Sequence, residues 1–193
     1  MELSCAMAIN PTTFYIINIV DTCAVWNVLR SDCLYRAALL AKCHFAIAQF
    51  VNYECLHKPR SGPPLASDLE LRSRLTLQQS QGRFAVHSCD IDDLQSIVLL
   101  QNRQRLGKGE LSSIAFAMKN RQAVLTDDQR ARKLATQAGH TLIQTTPHLF
   151  AWLVFEGRLG NKEKEIVIAE HVQLDGILKS HLETAYGIAM QYL

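Results

Sequence analysis

Short apolar runs alternate with longer segments of helical periodicity along this chain. The runs that we interpret as strands are residues 14–20, 44–47, 84–89, 123–126 and 141–144. Between them, apolar residues recur at the spacing that is typical of amphipathic helices. Strands that alternate with helices at short spacing favour a parallel sheet with helices on both faces. We therefore predict an α/β fold, a three-layer sandwich around a mostly parallel sheet of about four to five strands.

Capping and breaking residues set the predicted limits of the helices. In the first half, helices are predicted over residues 24–41 and 49–56, and a loop rich in proline over 58–67. Residues 44–56 either form a short strand and a helix or one continuous helix. Ser67 and Glu70 predict a capping box for the next helix, which ends near Gly82. In the second half, helices are predicted over 91–105, 110–119 and 129–138, followed by one that Thr146 and Pro147 open.

The length and composition indicate one globular domain. The chain has 193 residues, of which 48% are hydrophobic and 20% charged, enough for one packed core and short for two. We predict an N-terminal extension over 1–13, the main domain over 14–157 and a helical tail over 158–193. The tail carries an apolar stripe that packs either on the domain or on a partner. Its positions are Leu174, Ile177, Leu178, Leu182, Ala185 and Ala189.

The charge and the cysteines limit the partners and the cellular compartment that we expect. A net charge of +2 is only mildly basic, so any contact with nucleic acid must come from local clusters of Arg and Lys. The six cysteines include no CxxC pair, which favours reduced, buried thiols. The most apolar stretch, FYIINIV, is far shorter than the roughly 20 residues of a membrane span. We therefore expect a cytoplasmic protein without a membrane partner.

Acidic residues follow two of the predicted strands. Asp21 ends the first apolar run, and Asp127 and Asp128 end the run over 123–126. In open parallel sheets, ligands bind outside the carboxyl ends of the strands, so we expect these three acids at one edge. Glu54, in the predicted helix after the second strand, and Glu110, which follows a glycine turn, are expected to approach the same edge.

Clustered carboxylates favour a metal site. Acids at one edge repel one another unless a cation neutralises them, and hard oxygen ligands suit Mg²⁺ or Mn²⁺. Each acid also has a structural interpretation. Asp128 can cap a helix and pair with Arg132, Glu110 can complement a helix dipole, and Glu54 can be a solvated helix residue. These interpretations leave the recurrence of acids at the ends of successive strands unexplained.

Four segments of the chain resemble the PIN-domain family of metal-dependent nucleases. They are IINIVDTC, FVNYECL, GKGELSSIAFA and VLTDDQRARKLA, and the resemblance covers roughly residues 14–157. It implies that Asp21, Glu54 and Glu110 stand where such domains keep metal-binding acids. It also implies that Thr126 and Asp128 are the ends of the family's T-x-D pattern.

Asp127 and Asp128 have two possible divisions of roles. Adjacent residues at a strand-to-helix bend point in different directions, so one carboxylate enters the metal site while the other caps the helix or holds a water. We assign Asp128 to the metal. Asp127 is then either a second ligand or a local hydrogen-bonding group.

The resemblance implies hydrolysis of RNA by a water that one or two bound metal ions activate. Asp21, Glu54, Glu110 and Asp128 are the catalytic acids that it implies. The candidate metal ligands are Asp21, Glu110 and Asp128, and Asp127 is the candidate second ligand at the bend. We expect a PIN-type endoribonuclease, and the toxin of a toxin–antitoxin pair is one role that the resemblance implies. The alternative is a catalytically inactive PIN-like module that binds RNA or scaffolds a complex.

Basic residues flank the predicted acidic site and suggest the partners. Arg103, Arg105 and Lys108 precede Glu110, while Arg130 and Arg132 follow the two aspartates. These side chains either contact phosphates or form a solvated helix surface. Aromatic residues are sparse nearby in the sequence, so base stacking is not evident. The expected partners are an RNA substrate, an antitoxin-like protein and a second copy of the chain.

Overall fold

Five short strands form the centre of the fold. The structure is a computed structural model, and it describes residues 9–58, 62–90, 92, 95 and 106–193. The strands are β1 (Ile17–Val20), β2 (His44–Ala48), β3 (Ala85–His87), β4 (Ala123–Leu125) and β5 (Ile143–Gln144). All five coincide with predicted strands, although β1, β3, β4 and β5 are shorter than predicted and β2 is one residue longer.

The five strands make one parallel sheet in the order β3-β2-β1-β4-β5. Val20 of β1 lies between Ile47 of β2 and Leu125 of β4. From β1, the chain first builds the sheet outward through β2 and β3, and it then returns to the other side of β1 to place β4. The order therefore reverses between β1 and β4, and such a switch point is where open α/β sheets bind ligands.

The helices that the structure describes connect and cover the strands. They are α1 (Thr22–Leu29), α2 (Asp32–Leu40), α3 (Gln49–Leu56), α4 (Ala66–Ser80), α5 (Lys108–Asn120), α6 (Gln129–Gln137), α7 (Thr146–Phe155), α8 (Asn161–Gln173) and α9 (Lys179–Met190). Since β2 and α3 are separate elements, one continuous helix over 44–56 is ruled out. The helix predicted over 91–105 lies almost wholly outside the described residues.

The helical pattern predicted over 24–41 is confirmed, but the segment forms two helices separated by a break. Arg30 and Ser31 separate α1 from α2. The Ser31 hydroxyl accepts a hydrogen bond from the Leu34 backbone N–H at 3.0 Å, so it caps α2. A capping serine satisfies a free N–H at a helix start, and this gain offsets the break in the backbone ladder.

The capping box predicted from Ser67 and Glu70 is also wrong. Helix α4 begins at Ala66, so Ser67 is already inside it and is buried. The backbone N–H of Leu65 donates to the Asp68 carboxylate at 3.3 Å, which is the reach-back contact that was predicted for Glu70. Glu70 pairs with Arg74 at 2.8 Å instead.

Two hydrophobic clusters lie on opposite faces of the sheet. Successive strand residues point to opposite faces, and the neighbours Ile19 and Val20 accordingly join different clusters. Val20 packs in the larger cluster, which includes residues of α1, α2, α7, α8 and α9. Ile19 packs in the smaller cluster, with residues of α5 and α6. This arrangement confirms the predicted α/β three-layer sandwich.

The tail helices pack on the rest of the chain. Leu178, Leu182, Ala185 and Ala189 are buried in the larger cluster, and α9 lies against α7. Ile177 is the exception in the predicted apolar stripe, since it is 83% exposed. The proposed limits at residues 13/14 and 157/158 stay a prediction.

The cysteines that the structure describes differ in burial. Cys43 and Cys55 are buried as predicted, whereas Cys23 is exposed, so the predicted burial was wrong for Cys23. Among the described residues, no helix has the length and apolar character needed to cross a membrane.

Candidate functional site

The candidate site lies at the carboxyl ends of β1 and β4, at the switch point of the sheet. Asp21 directly follows β1, and Asp127 comes two residues after β4. The backbone N–H of Asp21 donates to the Leu125 carbonyl at 3.2 Å, which ties the two strand ends together. The parallel pairing therefore brings acids that are far apart in sequence to one edge.

Asp21 is a buried carboxylate, with only 1% of its surface exposed. It caps α1 by accepting from the Ala24 N–H at 2.8 Å, and its other oxygen accepts from the Thr126 hydroxyl. Burial raises the pKa of Asp21 to about 7. The two hydrogen bonds act to lower this pKa, whereas the negative charges of Asp127 and Glu110 raise it further. Asp21 thus lies within electrostatic reach of two other acids.

Glu54 reaches the same edge from α3. Its carboxylate accepts from the Thr22 hydroxyl at 2.8 Å and lies 3.3 Å from the Lys58 ammonium. A side chain at Gly109 would collide with Glu54 and Thr22, so only glycine leaves room for this approach. The second glycine of the GKGE turn therefore leaves room for the Glu54 carboxylate beside the start of α5.

Glu110 carries the strongest sign of a missing partner. It lies in the first turn of α5, and its Oε2 atom is buried without a hydrogen-bond partner in the described part of the protein. A Cβ atom at Gly107 would lie 2.5 Å from this oxygen and 3.6 Å from Oε1 of Glu54. The carboxylates of Glu54 and Glu110 thus meet beside Gly107, where no side chain separates them.

Asp127 is held by three hydrogen bonds. It accepts from the Asn27 amide at 2.8 Å, from the Thr146 N–H at 2.8 Å and from the Thr146 hydroxyl at 2.6 Å. These bonds join the end of β4 to α1 and α7. Asn27 and Thr146 were not identified from the sequence, because no local pattern marks a side chain that supports an acid from another element.

Asp128 caps helix α6. Its carboxylate accepts from the N–H groups of Arg130 at 2.6 Å and Ala131 at 3.4 Å, and its other oxygen lies 3.6 Å from the Arg130 guanidinium. The capping role therefore belongs to Asp128, which differs from the expected division in which Asp128 enters the metal site. Its role as a metal ligand stays a prediction.

The predicted basic residues that the structure describes differ in exposure and in their partners. Lys108 is exposed, and its ammonium lies 5.6 Å from the centre of the Phe50 ring. Arg130 is exposed beside Asp128, whereas Arg132 donates to the carbonyls of Asp127 at 2.9 Å and Thr126 at 3.4 Å. Arg132 therefore supports the bend. Arg103 and Arg105 lie outside the described residues.

The acids form a donor set that suits a hard cation. Across the described ranges, no three His, Cys, Asp or Glu side chains are grouped tightly enough to count as an assembled metal site. The buried, unpartnered Oε2 of Glu110 and the crowding of Asp21 by Asp127 and Glu110 nevertheless fit a cation. Because the available donors are carboxylate and hydroxyl oxygens, the chemistry matches Mg²⁺ or Mn²⁺ better than softer metals.

Comparison with known families places most of the chain in one family. The family model DUF3368: PIN domain matches residues 44–156. The match contains Glu54, Glu110, Asp127 and Asp128, while Asp21, which directly follows β1, lies before it. No curated protein and no solved structure matches the chain.

Proposed function

The chain belongs to the PIN-domain family, and from this premise we propose that it is a metal-dependent endoribonuclease. The proposed reaction is hydrolysis of an RNA phosphodiester at the edge where Asp21, Glu54, Glu110 and Asp127 gather. A bound Mg²⁺ or Mn²⁺ would lower the pKa of the attacking water and neutralise charge on the phosphate. The observation that carries the proposal is the buried Oε2 of Glu110, which has no partner among the described residues.

We assign Asp21, Glu110 and Asp127 to the metal, with Glu54 beside them. The hydroxyl of Thr126 orients Asp21, and the hydroxyl of Thr22 orients Glu54. Side chains fixed by such hydrogen bonds keep their geometry when substrate arrives, which lowers the cost of reaching the reactive arrangement.

Asp128 has a supporting role in this proposal. By capping α6 it fixes the bend between β4 and α6, and the bend determines where Asp127 points. The Arg132 guanidinium strengthens the same bend by binding the Asp127 carbonyl. Asp127 is therefore the aspartate that we place among the ligands, and Asp128 is the one that we place in the helix cap.

Substitution of Glu110 by glutamine tests the proposal. Glu110→Gln keeps the shape of the side chain and removes the charge that a cation needs. We expect loss of RNA cleavage in Mg²⁺ or Mn²⁺, and also loss of any rise in melting temperature that these ions give to the unaltered protein. Glu163→Gln is the matched control, because Glu163 also lies in the first turn of a helix, α8, and that helix supplies none of the proposed site residues. Full cleavage in excess chelator, or equal activity of the two variants, would reject the mechanism.

An inactive RNA-binding or scaffolding module is the second candidate function. It is favoured by the cations that already neighbour two acids, since Lys58 pairs with Glu54 and Arg130 with Asp128. Such a module binds RNA without cutting it and is indifferent to chelator. Gel analysis of the RNA after prolonged incubation with Mn²⁺ separates the two functions, because only the enzyme shortens it.

We further propose that the protein acts as the toxin of a toxin–antitoxin pair in the cytoplasm. The support is membership of a family that includes toxin ribonucleases, and the expected partner is a small antitoxin-like protein. Induced expression should then arrest growth, whereas expression of Glu110→Gln should not. Arrest by the Glu110→Gln variant, or growth unaffected by the unaltered protein, would contradict the toxin role.

A further inference from the structure

An open cleft of about 680 Å³ lies beside the acidic site. It is bounded by α3 and by the start of α5, and Glu54 and Gly107 line it next to the candidate site. The volume falls within the range of about 300–1,000 Å³ that is typical of small-ligand sites. The cleft is therefore large enough for one nucleotide.

Two aromatic side chains of α3 line this cleft. Phe50 and Tyr53 are three residues apart, a spacing that places both side chains on the same face of a helix. Tyr53 remains 49% exposed, so much of its ring is available to a ligand. Base stacking was not evident from the sequence because these rings precede Glu54 in the chain and lie far from the aspartates.

Two lysines give the cleft its charge complementarity. Lys58 and Lys108 both line it and are exposed. The Lys58 ammonium lies 3.3 Å from Glu54, and that of Lys108 lies over the Phe50 ring. Aromatic faces flanked by ammonium groups suit a ligand that combines a flat ring with negative charge.

We propose that this cleft binds one nucleobase of single-stranded RNA. The base stacks on Tyr53 against the apolar wall that Phe50 forms, and Lys58 and Lys108 contact the neighbouring phosphates. Because Glu54 borders both regions, the stacked nucleotide presents the adjoining phosphodiester to the acidic edge. The choice of RNA as the ligand rests on the proposed function.

A binding measurement in excess chelator tests the cleft separately from cleavage. The probe is a fluorescein-labelled, single-stranded hexaribonucleotide, and its affinity for the whole 193-residue chain is measured by anisotropy. We expect Tyr53→Ala to weaken binding about 5- to 150-fold, the effect of losing one base–aromatic contact, and Tyr53→Phe to retain it. Tyr192→Ala is the matched control, since Tyr192 is 53% exposed and does not line the cleft.

A second probe distinguishes stacking from a general structural effect. A hexamer of abasic ribonucleotides keeps the phosphates and has no bases, so Tyr53→Ala should bind it as well as the unaltered protein does. Lys108→Gln should weaken binding of both probes and lower the salt dependence, while Lys179→Gln should change neither. Melting curves confirm that each variant is folded.

The outcomes separate this inference from the proposed nuclease function. Equal affinities of Tyr53→Ala and Tyr192→Ala for the base-containing probe overturn the cleft, even if cleavage requires Glu110. Binding that depends on Tyr53 without cleavage in Mn²⁺ supports the cleft and rejects the nuclease. Failure of the unaltered protein to bind either probe overturns the cleft as an RNA site.

Discussion

Alanine substitution of the two neighbouring aspartates should give unequal losses of stability. Asp128→Ala removes a helix cap that accepts from two backbone N–H groups. Loss of such a cap costs about 1 kcal/mol of the free energy of unfolding. The ion pair with Arg130, whose side chain is 65% exposed, adds little because solvent screens it. Asp128→Asn retains a capping oxygen and should lose only a few tenths of a kcal/mol.

Asp127→Ala removes the three hydrogen bonds that Asn27 and Thr146 donate. At roughly 1 kcal/mol for each bond, the loss is about 3 kcal/mol. Relief of repulsion between Asp127 and Asp21 offsets part of this loss, since the Asp127 charge disfavours ionised Asp21. We therefore expect Asp127→Ala to be about 2 kcal/mol less stable than the unaltered protein, and less stable than Asp128→Ala.

Activity separates the same residues in their asparagine variants. Asp127→Asn should abolish metal-dependent cleavage, because it removes a proposed ligand charge. Asp128→Asn should keep substantial activity, because the cap and the bend survive. The measurements are urea unfolding in chelator and the rate of RNA cleavage in Mn²⁺, both made on all four variants.

Three results would contradict this reasoning. A larger stability loss for Asp128→Ala would refute the assignment of the three supporting bonds to Asp127. An inactive Asp128→Asn with an active Asp127→Asn would reverse the ligand assignment and leave the nuclease function intact. Normal cleavage by both asparagine variants would place the metal away from this pair.

Two further predictions concern a glycine and a histidine. Gly109→Ala should destabilise the protein and reduce cleavage, because its Cβ collides with Glu54. Gly187→Ala meets open space in a helix and should raise the free energy of unfolding by up to about 1 kcal/mol. Thermal melting compares the two variants. Burial lowers the pKa of His171 to about 4, so between about pH 6.5 and pH 4 this side chain binds more protons in the unfolded chain, and its contribution to stability falls as pH drops. The raised pKa of Asp21 acts in the opposite direction over this range, so the effect of His171 is measured as a difference between variants. From pH 7 to pH 5, His181→Gln should lose about 2 kcal/mol more stability than His171→Gln, and equal pH dependence of the two variants in urea unfolding would contradict this cause.

The edge of the sheet that gathers the acids could be predicted from the sequence. Asp21 and Asp127 each follow an apolar run, and parallel strands place their carboxyl ends at one edge whatever their order. The break between α1 and α2 also has a local signal, the capping residue Ser31, which the long apolar periodicity of the segment obscured. These features depend on residues that are close together in the chain.

The division of roles between Asp127 and Asp128 could not be predicted in this way. It depends on the backbone at the bend and on partners that are distant in sequence, since Asn27 is 100 residues from Asp127. The cleft could not be predicted from the sequence either, because it also depends on residues that are distant in the chain. Phe50 and Tyr53 share a helix face, but only the packing of α3 against α5 brings Lys108 over the Phe50 ring.

The tail beyond the matched region is connected to the site by a chain of hydrogen bonds. The Arg30 guanidinium donates to the Leu174 carbonyl and to the Asn27 amide oxygen, both at 2.9 Å. With its only acceptor occupied by Arg30, the Asn27 amide turns its N–H₂ group toward Asp127. The loop between α8 and α9 thus helps to fix the orientation of a proposed metal ligand. Because this contact begins at Leu174, activity measurements should use the full chain and not the segment 44–156 alone.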